Sequence, residues 1–171
     1  IDENTNEKKV VGVIIDITKE AENQKALQKS ETLYRTLFSA AKDGILLIKD
    51  GIFVECNDKA LEMFGGSREQ ILNVAPHKLS PEYQFNGVPS YESALDKINR
   101  ALKGETQHFE WIHQKMNGEI FYCDITLSRM ELDNGFYVQT LIRDITERKK
   151  DEERIINLNA ELEERVIERT A

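Results

Sequence analysis

Three short turns, Asp50-Gly51, Asn117-Gly118 and Asp133-Asn134-Gly135, each separate two runs rich in β-branched, aromatic and aliphatic residues, and they leave the chain few ways to fold. Asx-Gly steps adopt the positive φ that a tight hairpin demands. The segment "GILLIKDGIFVEC" therefore reads as two strands folding back at Asp50-Gly51. The segments "TQHFEWIHQKM", "EIFYCDITLSRMEL" and "FYVQTLIRDI" read as three more strands, joined by the other two turns. Strands joined this tightly must run antiparallel, so the last three form a meander.

Between the first hairpin and the meander the pattern is helical. Asn57 caps "NDKALEMFGG" and Gly65-Gly66 stops it, and Ser67 with Gln70 three residues on supplies a capping box for "SREQIL". A Pro- and Gly-containing loop over 75–90 follows. The segment "YESALDKINRALKG" then places Ala94, Leu95, Ile98, Ala101 and Leu102 on one helical face and ends at Lys103-Gly104, which suits a helix covering the sheet. Two strands, short helices, one longer helix and three strands make an α+β fold, a five-stranded antiparallel sheet with helices on one face.

The flanks carry a repeated junction. Asp16-Ile17-Thr18 and Asp144-Ile145-Thr146 each end an apolar strand-like run and open a charged, helix-prone segment, about one domain plus a connector apart. Residues 1–18 are accordingly expected to hold the last strand of an upstream domain, 19–38 a connector helix, 39–146 the central domain and 147–171 an output helix. At each junction the Thr hydroxyl is placed to accept from an early helical N–H, while Asp16 and Asp144 put negative charge near the positive helix end. A simple cap and a mechanical relay are both consistent with this. The connector carries a sparse stripe of Leu27, Tyr34, Leu37 and Phe38. The last segment spaces Ile155, Leu158 or Asn159, Leu162 and Val166 by three and four, the pattern of a parallel homodimeric coiled coil. Asn159 falls at a core position in one register, where an amide fixes alignment; in another it is simply exposed.

Composition narrows the partners. A net charge of −8 and interleaved Lys, Arg, Asp and Glu argue against nucleic acid, which needs clustered cations. No apolar run approaches the roughly 18 residues that cross a bilayer, so no membrane contact is expected of this segment. Cys56 and Cys123 lack paired spacing, so neither a disulfide nor a zinc site is legible, and a reducing cytoplasm is the expected setting. The histidines have no nucleophile at a recognisable spacing and no glycine loop cradles phosphate, so the segment is not expected to be an enzyme by itself.

The order of elements and the motifs "NDKALEMFGGSREQIL", "FEWIHQKMNGEIF" and "RDITERK" resemble a PAS domain with its trailing PAC segment, over roughly residues 32–147. The resemblance implies a ligand pocket between the sheet's inner face and the covering helices. Alternation puts Phe109, Trp111 and His113 on one side of their strand, and Phe121, Cys123, Ile125 and Leu127 on one side of the next. Trp111, His113 and Cys123 are thus pocket candidates, with His77, Tyr83 and Gln84 as candidates for an entrance; ordinary core packing or a solvated loop is the alternative for each. The thiol motif of flavin-binding members has no counterpart, and the long helix lacks the histidine of haem-binding members, so neither cofactor is expected. The string "LNAELEERVIERTA" is similar to the helix leading into the phosphotransfer domain of sensor histidine kinases. This implies a sensory module ahead of a kinase domain in the same chain. A diguanylate cyclase as the output, or a ligand-free dimerising spacer, are the alternatives.

Overall fold

The computed structural model describes residues 18–133 and 135–170, leaving aside the side chains of Thr18 and of 167–170. The chain divides into two units, 1–37 and 38–171. The expected last strand of the upstream domain, with Asp16, lies outside the described residues. The first helix, α1 (Thr18–Ala40), starts and ends within two residues of expectation, and on it Leu27, Leu33, Tyr34 and Leu37 are exposed.

The second unit contains β1 (Gly44–Lys49), β2 (Ile52–Cys56), α2 (Asp58–Phe64), α3 (Arg68–Ile71), a 3-10 helix (Pro76–Leu79), α4 (Ser90–Leu102), β3 (Gln107–Gln114), β4 (Ile120–Leu132), β5 (Gly135–Asp144) and α5 (Thr146–Thr170). The fold is the expected α+β, one five-stranded antiparallel sheet ordered β2-β1-β5-β4-β3 with helices over one face. Lys49 pairs with Ile52 across a two-residue turn in which both Asp50 (φ 51°) and Gly51 (φ 81°) are left-handed, the twist that matches two right-twisted strands. The central pairing of β1 with β5, Leu46 opposite Thr140, joins the hairpin to the meander.

Asn57 holds the crossover in place. Its buried Oδ1 accepts from Ala60 N at 3.0 Å, capping α2, and from Ile45 N at 2.9 Å on β1. Its Nδ2 donates to the carbonyls of Phe38 (3.0 Å) and Asp43 (3.1 Å), and its own N–H donates to Ile45 O at 2.9 Å. One residue, four times through its side-chain amide and once through its backbone N–H, thereby satisfies five backbone groups that would each cost ~1–3 kcal/mol if buried unpaired. Gly65, left-handed at φ 64°, then ends α2.

The inner face of the sheet buries Leu46, Ile48, Phe53, Trp111, Phe121, Ile125, Val138 and Ile142 beneath the helices. Each contributes on the order of 2 kcal/mol of apolar burial. Alpha-helix α4 lies over β3, β4 and β5 through Ala94, Ile98 and Ala101. Leu95 and Leu102, expected on the same face, are instead 46% and 37% exposed. The buried i, i+4, i+7 stripe uses two alanines, which bring the helix close to the sheet and leave the flanking leucines on its shoulder.

Part of each sheet edge is covered. At β2, Phe53 N donates to Val74 O (3.0 Å) and Asn73 N to Phe53 O (2.8 Å). At β3 the cover is a side chain: Gln84 Oε1 accepts from Ile112 N at 2.8 Å while its Nε2 donates to Ile112 O at 3.2 Å, as a neighbouring strand would.

Candidate functional site

Two places in the second unit bring together residues singled out by the sequence: the interior beneath α4, and the strand-to-helix junction at Asp144.

In the interior, Trp111 and His113 project from β3 into the core beside the 3-10 helix. Trp111 Nε1 donates to Ser80 Oγ at 2.9 Å. His113 Nδ1 lies 2.7 Å from Leu79 O, and because a carbonyl only accepts, Nδ1 carries the proton. Ser80 Oγ is 3.2 Å from the same nitrogen. Phe64 meets the imidazole edge to face at 5.0 Å. Burial pushes His113 from its ordinary 6.5 down to about 4, against the opposing pull of the Leu79 bond, so the ring is neutral at pH 7.

Trp111 and His113 border a cavity of about 30 Å³, together with apolar side chains and Thr140. Such a space holds one or two waters. Thr140 Oγ1 is buried and, among the described residues, has no hydrogen-bond partner. Sequence reading passed over Thr140, since a β-branched residue in a strand needs no explanation.

The other pocket candidates lie elsewhere. Cys123 is fully buried but does not line the cavity, and burial, with the charge of Asp144 adding, pushes its thiol well above the ordinary range, so it is not a nucleophile. Gln84 is the clamp on the β3 edge, where Nε2 also meets Ser90 Oγ at 2.7 Å. Tyr83 is exposed in the loop, with a single β-bridge to Pro89. His77 sits in the 3-10 helix, not in α4, with its ring edge to face against Tyr91 at 5.0 Å. Among the described residues no group of three or more His, Cys, Asp or Glu is placed to hold a metal.

At the junction, Asp144 Oδ1 accepts from Thr146 N at 2.8 Å, so the aspartate is the cap of α5. The Thr146 hydroxyl, expected to take a helical N–H, instead accepts from Tyr122 N on β4 at 3.0 Å. Ile145 N donates to Tyr122 O at 2.8 Å, completing a two-bond clip, because the β5 backbone continues its ladder one residue past the strand. Buried Ile145 plugs the corner. Beyond it, Arg148 pairs with Glu110 (3.0 Å) and Asp124 (3.4 Å), and Lys149 with Glu110 (2.6 Å), tying the first turn of α5 to β3 and β4. Asp16 lies outside the described residues; Thr18 opens α1, its side chain undescribed. On α5, Ile155, Asn159, Leu162 and Val166 are all exposed.

This sheet, with its helical crossover and a helix leaving β5, defines a sensory-domain architecture. The chain belongs to the PAS domain family, whose signature matches residues 42–147. It is 26% identical over 146 residues to sporulation kinase E of Bacillus subtilis, covering 85% of this chain and 19% of that protein. It is 25% identical over 146 residues to the methyl sulfide methyltransferase-associated sensor of Methanosarcina acetivorans, covering 84% of this chain and 14% of that one. The chain thus spans less than a fifth of either relative. The PAS domain of an HTR-like protein from Haloarcula marismortui shares the fold, with a TM-score of 0.62 at 17% identity over 73% of this chain and 99% of that one. The chain is therefore a PAS domain related to sensor kinases. No described helix is long and apolar enough to cross a membrane.

Proposed function

We propose that this chain is the sensory and relay segment of a two-component sensor histidine kinase, passing a change in its sheet to a dimeric output helix. The double attachment at the junction carries this reading. Thr146 grips the β4 backbone with its hydroxyl while its amide is held by Asp144 on β5, so α5 cannot pivot without disturbing both strands. A coiled coil has a few packings within a few kcal/mol of one another, and a small change at its entry selects between them. The relatives named as a kinase and as a sensor support the parent class.

A second reading is favoured by the size of the interior. A space of about 30 Å³ takes no flavin, haem or drug-sized molecule, which suits a domain that holds no organic ligand beneath α4 and acts as a dimerising spacer.

The test uses the intact parent protein carrying Thr146→Val or Asp144→Ala. Each removes one bond worth ~1 kcal/mol, lowering the melting temperature by about 5 °C, while autophosphorylation changes several-fold. A parent with no autophosphorylation refutes the kinase assignment. Wild-type activity in both variants reduces the junction to a cap.

A further inference from the structure

Outside α4 lies a hollow far larger than the interior one. It is a cleft of about 410 Å³ between that helix, the 3-10 helix and the β1–β2 turn, within the ~300–1,000 Å³ that small organic ligands occupy. Leu95 and Leu102, the two leucines the core leaves out, form its apolar lining with Ile98. His77 and Tyr91, edge to face at 5.0 Å, supply aromatic surface, and Asp50 and Asn99 supply polar heads. Among the described residues, none of these four side chains has a hydrogen bond or ion pair. Burial, with Lys78 adding, lowers the pKa of His77, so at pH 7 Asp50 is the one charged group in the lining.

We infer that this cleft binds a small organic cation with an apolar body, its ammonium paired with Asp50 and its hydrocarbon against Leu95 and Leu102. An aromatic face attracts cations and an apolar wall takes the hydrocarbon. Asp50 and the chain's net charge of −8 repel an anion, and a neutral ligand gains at most one hydrogen bond from the carboxylate, without the charge attraction a cation adds. Pro76, Ala94 and Ile98 line both this cleft and the interior cavity, so an occupant presses on the side chains that roof the inner face. The inference does not depend on the kinase or relay reading, because it concerns binding to this chain alone.

The test titrates the full chain with benzyltrimethylammonium by calorimetry and by amide NMR, with benzyl alcohol as the neutral control and benzoate as the anionic one. The cation is expected to bind with submillimolar affinity, about tenfold tighter than the alcohol, with benzoate silent. Amide shifts should centre on Gly51, Tyr91 and Asn99. Asp50→Asn keeps the left-handed turn, which Asn tolerates, and should weaken the cation about tenfold. Leu95→Gln, on an exposed shoulder, should weaken cation and alcohol alike. Four results overturn the inference: no binding at ~10 mM, equal affinity for the alcohol, an unchanged affinity in Asp50→Asn, or shifts centred on Trp111, His113 and Thr140.

Discussion

At the scale of single residues, His113 is a base the fold keeps uncharged. Its folded pKa of about 4 lies below the ordinary 6.5 because burial penalises the imidazolium. Between those values the unfolded chain binds a proton that the folded chain does not, so this contribution is fully present above pH 6.5 and is lost as pH falls toward 4. The loss amounts to ~3 kcal/mol. Chemical denaturation between pH 7.5 and 4 should show this slope, and His113→Gln, which keeps an amide donor for Leu79 O, should flatten it. An unchanged slope in the variant would assign the pH dependence to other groups. That His113 faces inward was legible in the alternation of β3; its tautomer and its partners were not, because Leu79 and Ser80 come from a loop whose path no periodicity reports.

At the scale of elements, part of each edge of this five-stranded sheet is covered. Gln84 supplies a donor and an acceptor to Ile112 in the geometry of a neighbouring strand, leaving that part of β3 closed to a further chain. Gln84→Leu keeps the size and removes both bonds to Ile112 together with the one to Ser90 Oγ. It should cost ~2 kcal/mol in a denaturant melt and raise self-association through the freed edge, measured by light scattering. A variant as stable and as monodisperse as the parent would show that water replaces the amide without penalty. The junction makes a related point, since the same Asp-Ile-Thr string that reads as a helix cap is here divided between two jobs. Asp144 caps the helix, and Thr146 reaches across to β4.

At the scale of the whole molecule, α5, like α1, carries apolar side chains that lack cover. Ile155, Leu158 and Leu162 are each about half exposed or more. Ion pairs such as Arg165 with Glu161 add only ~0.3–0.5 kcal/mol each, so most of the stability of a helix this long must come from packing. A second copy of α5, parallel and in register, would bury that stripe, with Asn159 facing its counterpart. Leu162→Asp is expected to turn a dimer into a monomer in sedimentation at micromolar concentration while the melt of the sheet domain stays unchanged. A variant that remains dimeric would place the interface elsewhere.

The sequence by itself determined what depends on near neighbours. The Asp50-Gly51 turn sets the register of Lys49 against Ile52, Asn57 caps α2 three residues on, and alternation assigns Trp111, His113 and Phe121 to the inner face. Those outcomes follow from steric limits on φ and from bonds within one turn of chain. Tertiary structure alone decided the pairing of β1 with β5, the use of Gln84 as an edge clamp, the partner of Thr146 on β4 and the burial of the Thr140 hydroxyl without a partner among the described residues. It also decided that a ligand-sized space lies beside α4, because two alanines draw that helix onto the sheet and leave Leu95 and Leu102 on the cleft. Each of these depends on where segments distant in the chain come to rest, and that position is set by how the assembled core fills space, which no local pattern encodes.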